Sequence, residues 1–156
     1  MTPAINSARK AKVSHRVHQY QHDPASESYG TEAAEKLGVA ADRVFKTLVV
    51  AVDGQDLAVA VVPVSGQLSM KRIARAAGGK KAAMADPTDV QRATGYVLGG
   101  VSPLGQKKRL RTFIDASAQR FDTVFVSAGR RGLEIELAPA ELARLTHGTL
   151  APLQRD

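Results

Sequence analysis

Two nearly continuous apolar runs, Phe45 to Val52 and Leu57 to Val64, dominate the hydrophobic pattern of the chain. Both are rich in β-branched residues, and only Asp53-Gly54-Gln55-Asp56 separates them, which predicts a hairpin in a sheet covered on both faces. Ser14 to Gln21 alternates more weakly, with Val17 on one side and His18 and Tyr20 on the other, as a half-exposed strand does. Arg111 to Asp115, Thr123 to Ser127 and Leu133 to Leu137 read as three further strands, and Lys80 to Ala85 as a short one. Helices are marked by their ends. Thr2 caps a first helix with Pro3 at its opening position and a run to about Val13, and Thr31 to Leu37 stops at Gly38. Ser69 caps a helix that runs through Met70, Ile73, Ala74 and Ala77 to Gly78-Gly79. Pro87 to Ala93 and Pro139 to Leu145 complete the set.

Strands and helices mix without a strict βαβ repeat. The expected fold class is α/β in the mixed α+β sense, a mixed, barrel-like central sheet wrapped by helices. A length of 156 residues matches one domain, residues 1–156. No apolar run reaches the roughly 18 residues that span a bilayer, and the start Met1-Thr2-Pro3-Ala4 lacks a signal-peptide pattern. A cytoplasmic protein is the expectation.

Charge narrows the partners. The chain carries 22 Lys plus Arg against 15 Asp plus Glu, a formal +7, which favours polyanions and nucleic acid first. Lys71, Arg72, Arg75, Lys80 and Lys81 form one basic group, and Lys107, Lys108, Arg109 and Arg111 another; solvated helix and strand surfaces are the ordinary alternative for both. With no tryptophan and few aromatics, stacking platforms for single strands are poorly supplied. The absence of cysteine removes disulfides, thiolate metal sites and a protein thiol nucleophile.

Gly95 to Lys108 is the stretch least like packing sequence. Its paired glycines, Gly99 and Gly100, let backbone N–H groups approach a carbonyl or a phosphate, and Ser102 is a candidate exposed hydroxyl, although a tight turn ended by Ser102-Pro103 explains the same spacing. Lys46 shares a strand face with Leu48 and Val50, so it must snorkel, pair, or line a cavity where its charge can hold an anion. Tyr20 and Tyr29 are candidate substrate-orienting rings, or plain edge residues. His15, His18 and His22 lack a placed acidic ligand, and alternation sets His15 opposite His18, which speaks against a metal. The loop fails as a P-loop because Gln106 stands at the lysine position, no Gly-x-Gly-x-x-Gly opens a helix, and Gly-x-Ser-x-Gly is absent.

Four stretches taken together resemble the YbaK family of bacterial Cys-tRNA(Pro) deacylases: Val-Phe-Lys46-Thr-Leu-Val, Met84-Ala-Asp-Pro87, the loop from Thr94 to Lys108, and Val-Ser-Ala-Gly-Arg-Arg-Gly-Leu-Glu-Ile-Glu-Leu137. The likeness spans essentially the whole chain. It implies a free-standing editing domain that clears cysteine from proline tRNA, needs no metal or cofactor, and has aminoacylated tRNA and prolyl-tRNA synthetase as partners. By resemblance, Lys46 contacts the tRNA end and substrate, while Gly99, Gly100 and Ser102 grip the aminoacyl ester. Tyr20, Tyr29, Thr47, Val101, Pro103 and Glu134 then line the substrate pocket. Glu134 stands where that family often has aspartate, which keeps the charge and moves it by one methylene. The implied chemistry is substrate-assisted, the cysteine thiol attacking its own ester. An alanyl-tRNA(Pro) deacylase using water and a non-catalytic tRNA-binding module are the rival readings.

Overall fold

The computed structural model describes residues 1–26 and 29–156, with Tyr29 described by its backbone alone. In chain order the elements are α1 (Pro3–Lys10), β1 (His15–Gln19), α2 (Tyr29–Leu37), β2 (Phe45–Val52), β3 (Asp56–Pro63), α3 (Met70–Ala76), β4 (Ala82–Met84) and α4 (Pro87–Thr94). They continue with β5 (Arg111–Asp115), β6 (Val124–Arg130), β7 (Leu133–Leu137), α5 (Pro139–Thr146) and β8 (Thr149–Ala151). Short 3₁₀ turns at Ala41–Arg43 and Ala116–Arg120 lead into β2 and out of β5.

The punctuation works as the sequence implies. Thr2 Oγ1 accepts the Ile5 N–H at 3.2 Å, and its hydroxyl donates to the Ala128 carbonyl, so the cap of α1 also ties the helix to β6. Ser69 Oγ accepts the Arg72 N–H at 3.1 Å to open α3. Gly95 closes α4 in the left-handed region at φ 83°. The first helix stops at Lys10, earlier than expected, because Lys12 turns to φ 57°. The three-residue β8 has no pattern of its own to announce it; it forms by parallel pairing of Phe113, Ile114 and Asp115 with Thr149, Leu150 and Ala151.

Among the described residues the strands form a five-stranded sheet, β4-β2-β3-β5-β8, and a three-stranded sheet, β1-β7-β6. Strand β2 pairs antiparallel with β3 from Phe45↔Pro63 to Val52↔Asp56, the expected hairpin. The mixed α/β class is as expected, with parallel and antiparallel pairs in one sheet, and the strands are divided between two sheets without closing into a barrel. Among the described residues they are bridged where Val44 pairs with Phe125 in parallel, and β4 occupies β2 further along, at Val50, Ala51 and Val52, so β6 does not extend a ladder along it.

Both faces of the hairpin are covered. Phe45, Val49, Val59 and Val61 pack between the sheets against Val124, Val126, Ala128, Leu133, Ile135 and Leu137. Val50, Val52, Ala60 and Val62 on the opposite face pack under Leu68, Ile73, Ala77 and Leu153. Each such fully buried aliphatic side chain contributes about 1.5–3 kcal/mol, which is why the runs read as continuous. A third cluster sets Ala33 and Ala34 of α2 on Val44 and Phe125, directly over the seam between the sheets. No helix among the described residues is long and apolar enough to cross a membrane.

Candidate functional site

The seam creates a row of polar side chains across four strands. Since Val44 and Phe125 are parallel partners, two steps further along both strands Lys46 and Ser127 occupy matching positions on the same face. Ser127 is in register with Glu134 across β6 and β7, and Glu134 with His18 across β7 and β1. Alternation turns Glu134 and Glu136 away from the buried Leu133, Ile135 and Leu137, so the row lies outside the main core, on the face that α2 partly covers. Tyr20, two residues beyond His18, joins that cover.

The electrostatics of the row are unusual. Glu134 is only 7% exposed, and burial pushes its carboxyl up to about 8. Among the described residues no hydrogen bond compensates it. Lys46 does not pair with it: the ammonium donates to the Gly66 carbonyl at 3.1 Å, and desolvation holds its pKa below the ordinary lysine value. Tyr20 is half-buried, and burial first, then the charge of Glu134, pushes its phenol up to about 12, so its hydroxyl keeps its proton as a donor. The site thus holds a cation, a hydroxyl donor and a carboxyl poised near neutrality, the combination that marks reactive clefts.

His18 Nε2 meets Glu136 Oε1 at 2.8 Å, and Glu136 also accepts from Thr123 Oγ1 at 2.5 Å. Arg43 adds 2.7 Å to Thr123 Oγ1, 3.6 Å to Glu136, and a guanidinium 5.2 Å from the Phe125 ring centre. This network locks the seam. A second one holds α2: buried Glu32 accepts from His22 Nδ1 at 2.8 Å and the Asp23 N–H at 2.7 Å, with Arg131 Nε at 3.8 Å. His15 Nδ1 meets the Val13 carbonyl at 2.7 Å instead. The three histidines therefore serve three separate contacts.

The glycine loop closes one end of the row. Val97 to Gly100 form a tight turn in which Gly99 stands at φ 93° and the Gly100 N–H donates to the Val97 carbonyl at 3.0 Å. That corrects one expectation: the Gly100 N–H is spent on the turn, and of the pair only the Gly99 N–H is left outside it. Gly100 has a different duty. A Cβ there would lie 2.9 Å from Arg130 Cα and 3.4 Å from the Gly129 carbonyl oxygen, so the loop rests directly on the turn that follows Ser127. Gly100→Ala is expected to push the loop off β6 and cost about 1–3 kcal/mol by overpacking, read as a lower melting temperature with a larger loss of activity than of stability.

Ser102 is not the exposed hydroxyl the spacing suggested. It is fully buried, its Oγ accepting the Leu104 N–H at 3.2 Å, while the Tyr96 hydroxyl donates to the Leu104 carbonyl at 2.7 Å and Gln106 Nε2 to the Ser102 carbonyl at 2.9 Å. Val101 packs in the main core. Pro103, also buried, lines a separate cavity of about 140 Å³ with Ser7, Lys108 and Thr146. Thr47 shares the core-facing side of β2 with Phe45 and Val49 rather than the face of Lys46, and its buried hydroxyl has no hydrogen-bond partner among the described residues. The side chain of Tyr29 lies outside the described residues. The structure thus brings Tyr20 and Glu134 together, adds Ser127 in register with Glu134, half-buried, with Oγ accepting the Gly129 N–H at 3.1 Å, leaves Lys46 on the neighbouring sheet across the seam, and sets Ser102, Val101, Pro103 and Thr47 apart. Folding Val126 to Leu137 as a hairpin about Arg131-Gly132 is the signal that finds Ser127.

The model of the aminoacyl-tRNA editing domain family matches residues 23–145, and the chain belongs to that family, whose enzymes are aminoacyl-tRNA deacylases. It is 37% identical over 97% of its length, and 92% of the relative's, to EbsC of Enterococcus faecalis, assigned as a Cys-tRNA(Pro)/Cys-tRNA(Cys) deacylase. It is 27% identical, over 78% of this chain and 75% of the other, to the multifunctional Ser/Thr-tRNA deacylase ProXp-y of Escherichia coli. A crystal structure described as a trans-editing enzyme for prolyl-tRNA synthetase superposes with a TM-score of 0.83 at 24% identity, covering 100% of this chain and 99% of that one.

Proposed function

We propose that this protein removes cysteine from mischarged Cys-tRNA(Pro), with the substrate's own thiol as the nucleophile. One observation carries the reading: the row of Lys46, Ser127, Glu134 and Tyr20 offers charge and proton acceptors but no activated nucleophile of its own. The chain has no cysteine, Ser102 is buried, and the histidine of the row is engaged by Glu136. That leaves the ligand's own thiol or a water as nucleophile, and a thiol ionises far more readily than water and is intrinsically the stronger nucleophile.

The chemistry is balanced without a cofactor. Glu134, its carboxyl near 8, takes the proton of a thiol whose ordinary pKa is about 8.5, a near match that suits general-base transfer. The thiolate attacks the ester carbonyl of the same residue, an intramolecular step favoured by proximity. A C–S bond forms, the ester C–O bond breaks, and the terminal ribose hydroxyl leaves with the proton from Glu134. Water then opens the strained four-membered thiolactone to free cysteine. Lys46 holds the ribose or terminal phosphate, and the Gly99 N–H polarises the carbonyl as charge develops on its oxygen. We assign prolyl-tRNA synthetase as protein partner, on the strength of the related trans-editing fold, and the cytoplasm as the compartment.

Release of amino acid from Cys-tRNA(Pro), Ala-tRNA(Pro) and Ser-tRNA(Pro) tests this, run beside S-methylcysteinyl-tRNA(Pro). Loss of cysteine alone, with the S-methyl ester intact, is the expected result. Equal cleavage of the S-methyl ester overturns thiol assistance. Preferential loss of serine moves the protein towards the E. coli relative's class of substrate, loss of alanine towards a water nucleophile, and protection of every ester towards a binding module.

A further inference from the structure

The outer surface of α3 continues from the Lys46 site. Lys46 Nζ donates to the Gly66 carbonyl at 3.1 Å, and residues 66–69 run beside residues 153–155: Leu68 bridges Gln154, Ser69 N–H donates to the Leu153 carbonyl at 2.8 Å, and Arg155 N–H to the Gln67 carbonyl at 2.8 Å. Arg72 Nη1 donates to the Gln154 carbonyl at 2.5 Å. A single pair of segments therefore joins Lys46 to the helix.

On that helix Ile73 and Ala74 are buried against the sheet, and every charged side chain is basic. Lys71 and Arg75, four residues apart and exposed, lie one turn from each other on the same side. With Ser69, Arg72 and Arg155 they line an open cavity of about 340 Å³, in which Asp156 is the acidic member. Asp156 is held by Arg72 at 2.6 Å, yet its side chain is 92% exposed, so an incoming anion displaces it at little cost.

We propose that the outer face of α3, with Arg155, binds the backbone phosphates of the double-helical stem of the RNA whose aminoacylated 3′ end enters at Lys46. The proposal rests on the deacylase reading for the identity of that RNA. A stem attached to an end held at Lys46 must leave over a neighbouring surface, and the segment pair 66–69 and 153–155 leads to this one. Lys71, Arg75 and Arg155 supply phosphate contacts that position without reading sequence.

The test compares wild type with Lys71→Ala/Arg75→Ala/Arg155→Ala, all exposed positions, and with Lys107→Ala/Lys108→Ala on the other basic segment. Arg72 is left in place because it holds the Gln154 carbonyl. Binding of uncharged tRNA(Pro) is titrated against salt, and cleavage is measured on Cys-tRNA(Pro) and on a cysteinyl ester of the trinucleotide CCA. The expected result for the triple variant is a slope of log affinity against log salt shallower by about 2–3 and tRNA binding weaker by roughly tenfold to a hundredfold at physiological salt. Cleavage of the short ester stays at the wild-type rate. A triple variant with wild-type slope and affinity overturns the surface, as does a loss seen only in Lys107→Ala/Lys108→Ala. Loss of binding to an acidic polypeptide in place of tRNA overturns it in favour of a protein partner. If wild type leaves both esters intact while the tRNA slopes still differ, the surface stands and the deacylase reading falls.

Discussion

Cys-tRNA(Pro) deacylation is expected to fall at least a hundredfold in Lys46→Ala, with no fall in melting temperature. The two halves have separate causes. Aimed charge at a reacting oxygen is worth roughly a hundredfold to a thousandfold in rate when one such group is removed, and Lys46 is the cation of the row. Stability runs the other way: burial holds its ammonium below the ordinary pKa, so the charged form is disfavoured in the folded state, and its one hydrogen bond goes to a carbonyl in the 64–68 loop. Alanine removes a strained charge as much as a contact. Rate assays beside thermal melts decide the matter; a well-folded, fully active variant ends the role assigned to Lys46.

The second large effect is a pH dependence of stability that Glu134→Gln removes. The folded state holds the Glu134 proton up to about 8, against an ordinary glutamate value of 4.5. The native chain thus binds this proton more tightly than the unfolded chain. The stabilisation is complete below the ordinary glutamate value and drains away as pH rises through about 8, by roughly 4–5 kcal/mol in the limit of full burial. Wild type is expected to melt progressively lower from pH 5 to pH 9, and Glu134→Gln, which carries no titrating proton at this buried position, to stay nearly flat over the same range. The same substitution should lower the deacylation rate and leave only the rise with pH that the substrate thiol's own ionisation, ordinarily near 8.5, produces. Parallel melting curves for the two proteins would assign the pH dependence to other groups.

Much of this arrangement is legible in the sequence, because local rules write it. A lysine inside Phe45-Lys46-Thr47-Leu48-Val49-Val50 stands out as a charge on an apolar face, and Leu133-Glu134-Ile135-Glu136-Leu137 declares by alternation that its carboxylates face away from the core. The β2–β3 hairpin follows from two branched runs and a four-residue turn. What stays hidden depends on distant pairing. The strand of Ser127 comes beside the strand of Lys46 through the bridge from Val44 to Phe125, residues 81 apart in number. Ser102 is buried because Tyr96 and Leu104 fold the loop over it, and the Gly100 N–H is consumed by a turn whose carbonyl lies three residues back. No spacing rule tells a glycine that offers its N–H to a ligand from one that spends it. Likewise Thr47 looks like a companion of Lys46 in the sequence, and the pleat puts it on the other side.

The join at Val44 and Phe125 makes the geometry of the row depend on how two sheets are set against each other. Lys46 belongs to one sheet; Ser127 and Glu134 belong to the other. Inside each sheet the ladder sets the spacing, whereas across the join it is set by one bridge, by the apolar side chains packed between the sheets, by Ala33 and Ala34 lying over the seam, and by the clasp of Arg43 on Thr123 and Glu136. The clasp of Arg43 therefore acts on the spacing between the Lys46 strand and the Glu134 strand from outside the row itself.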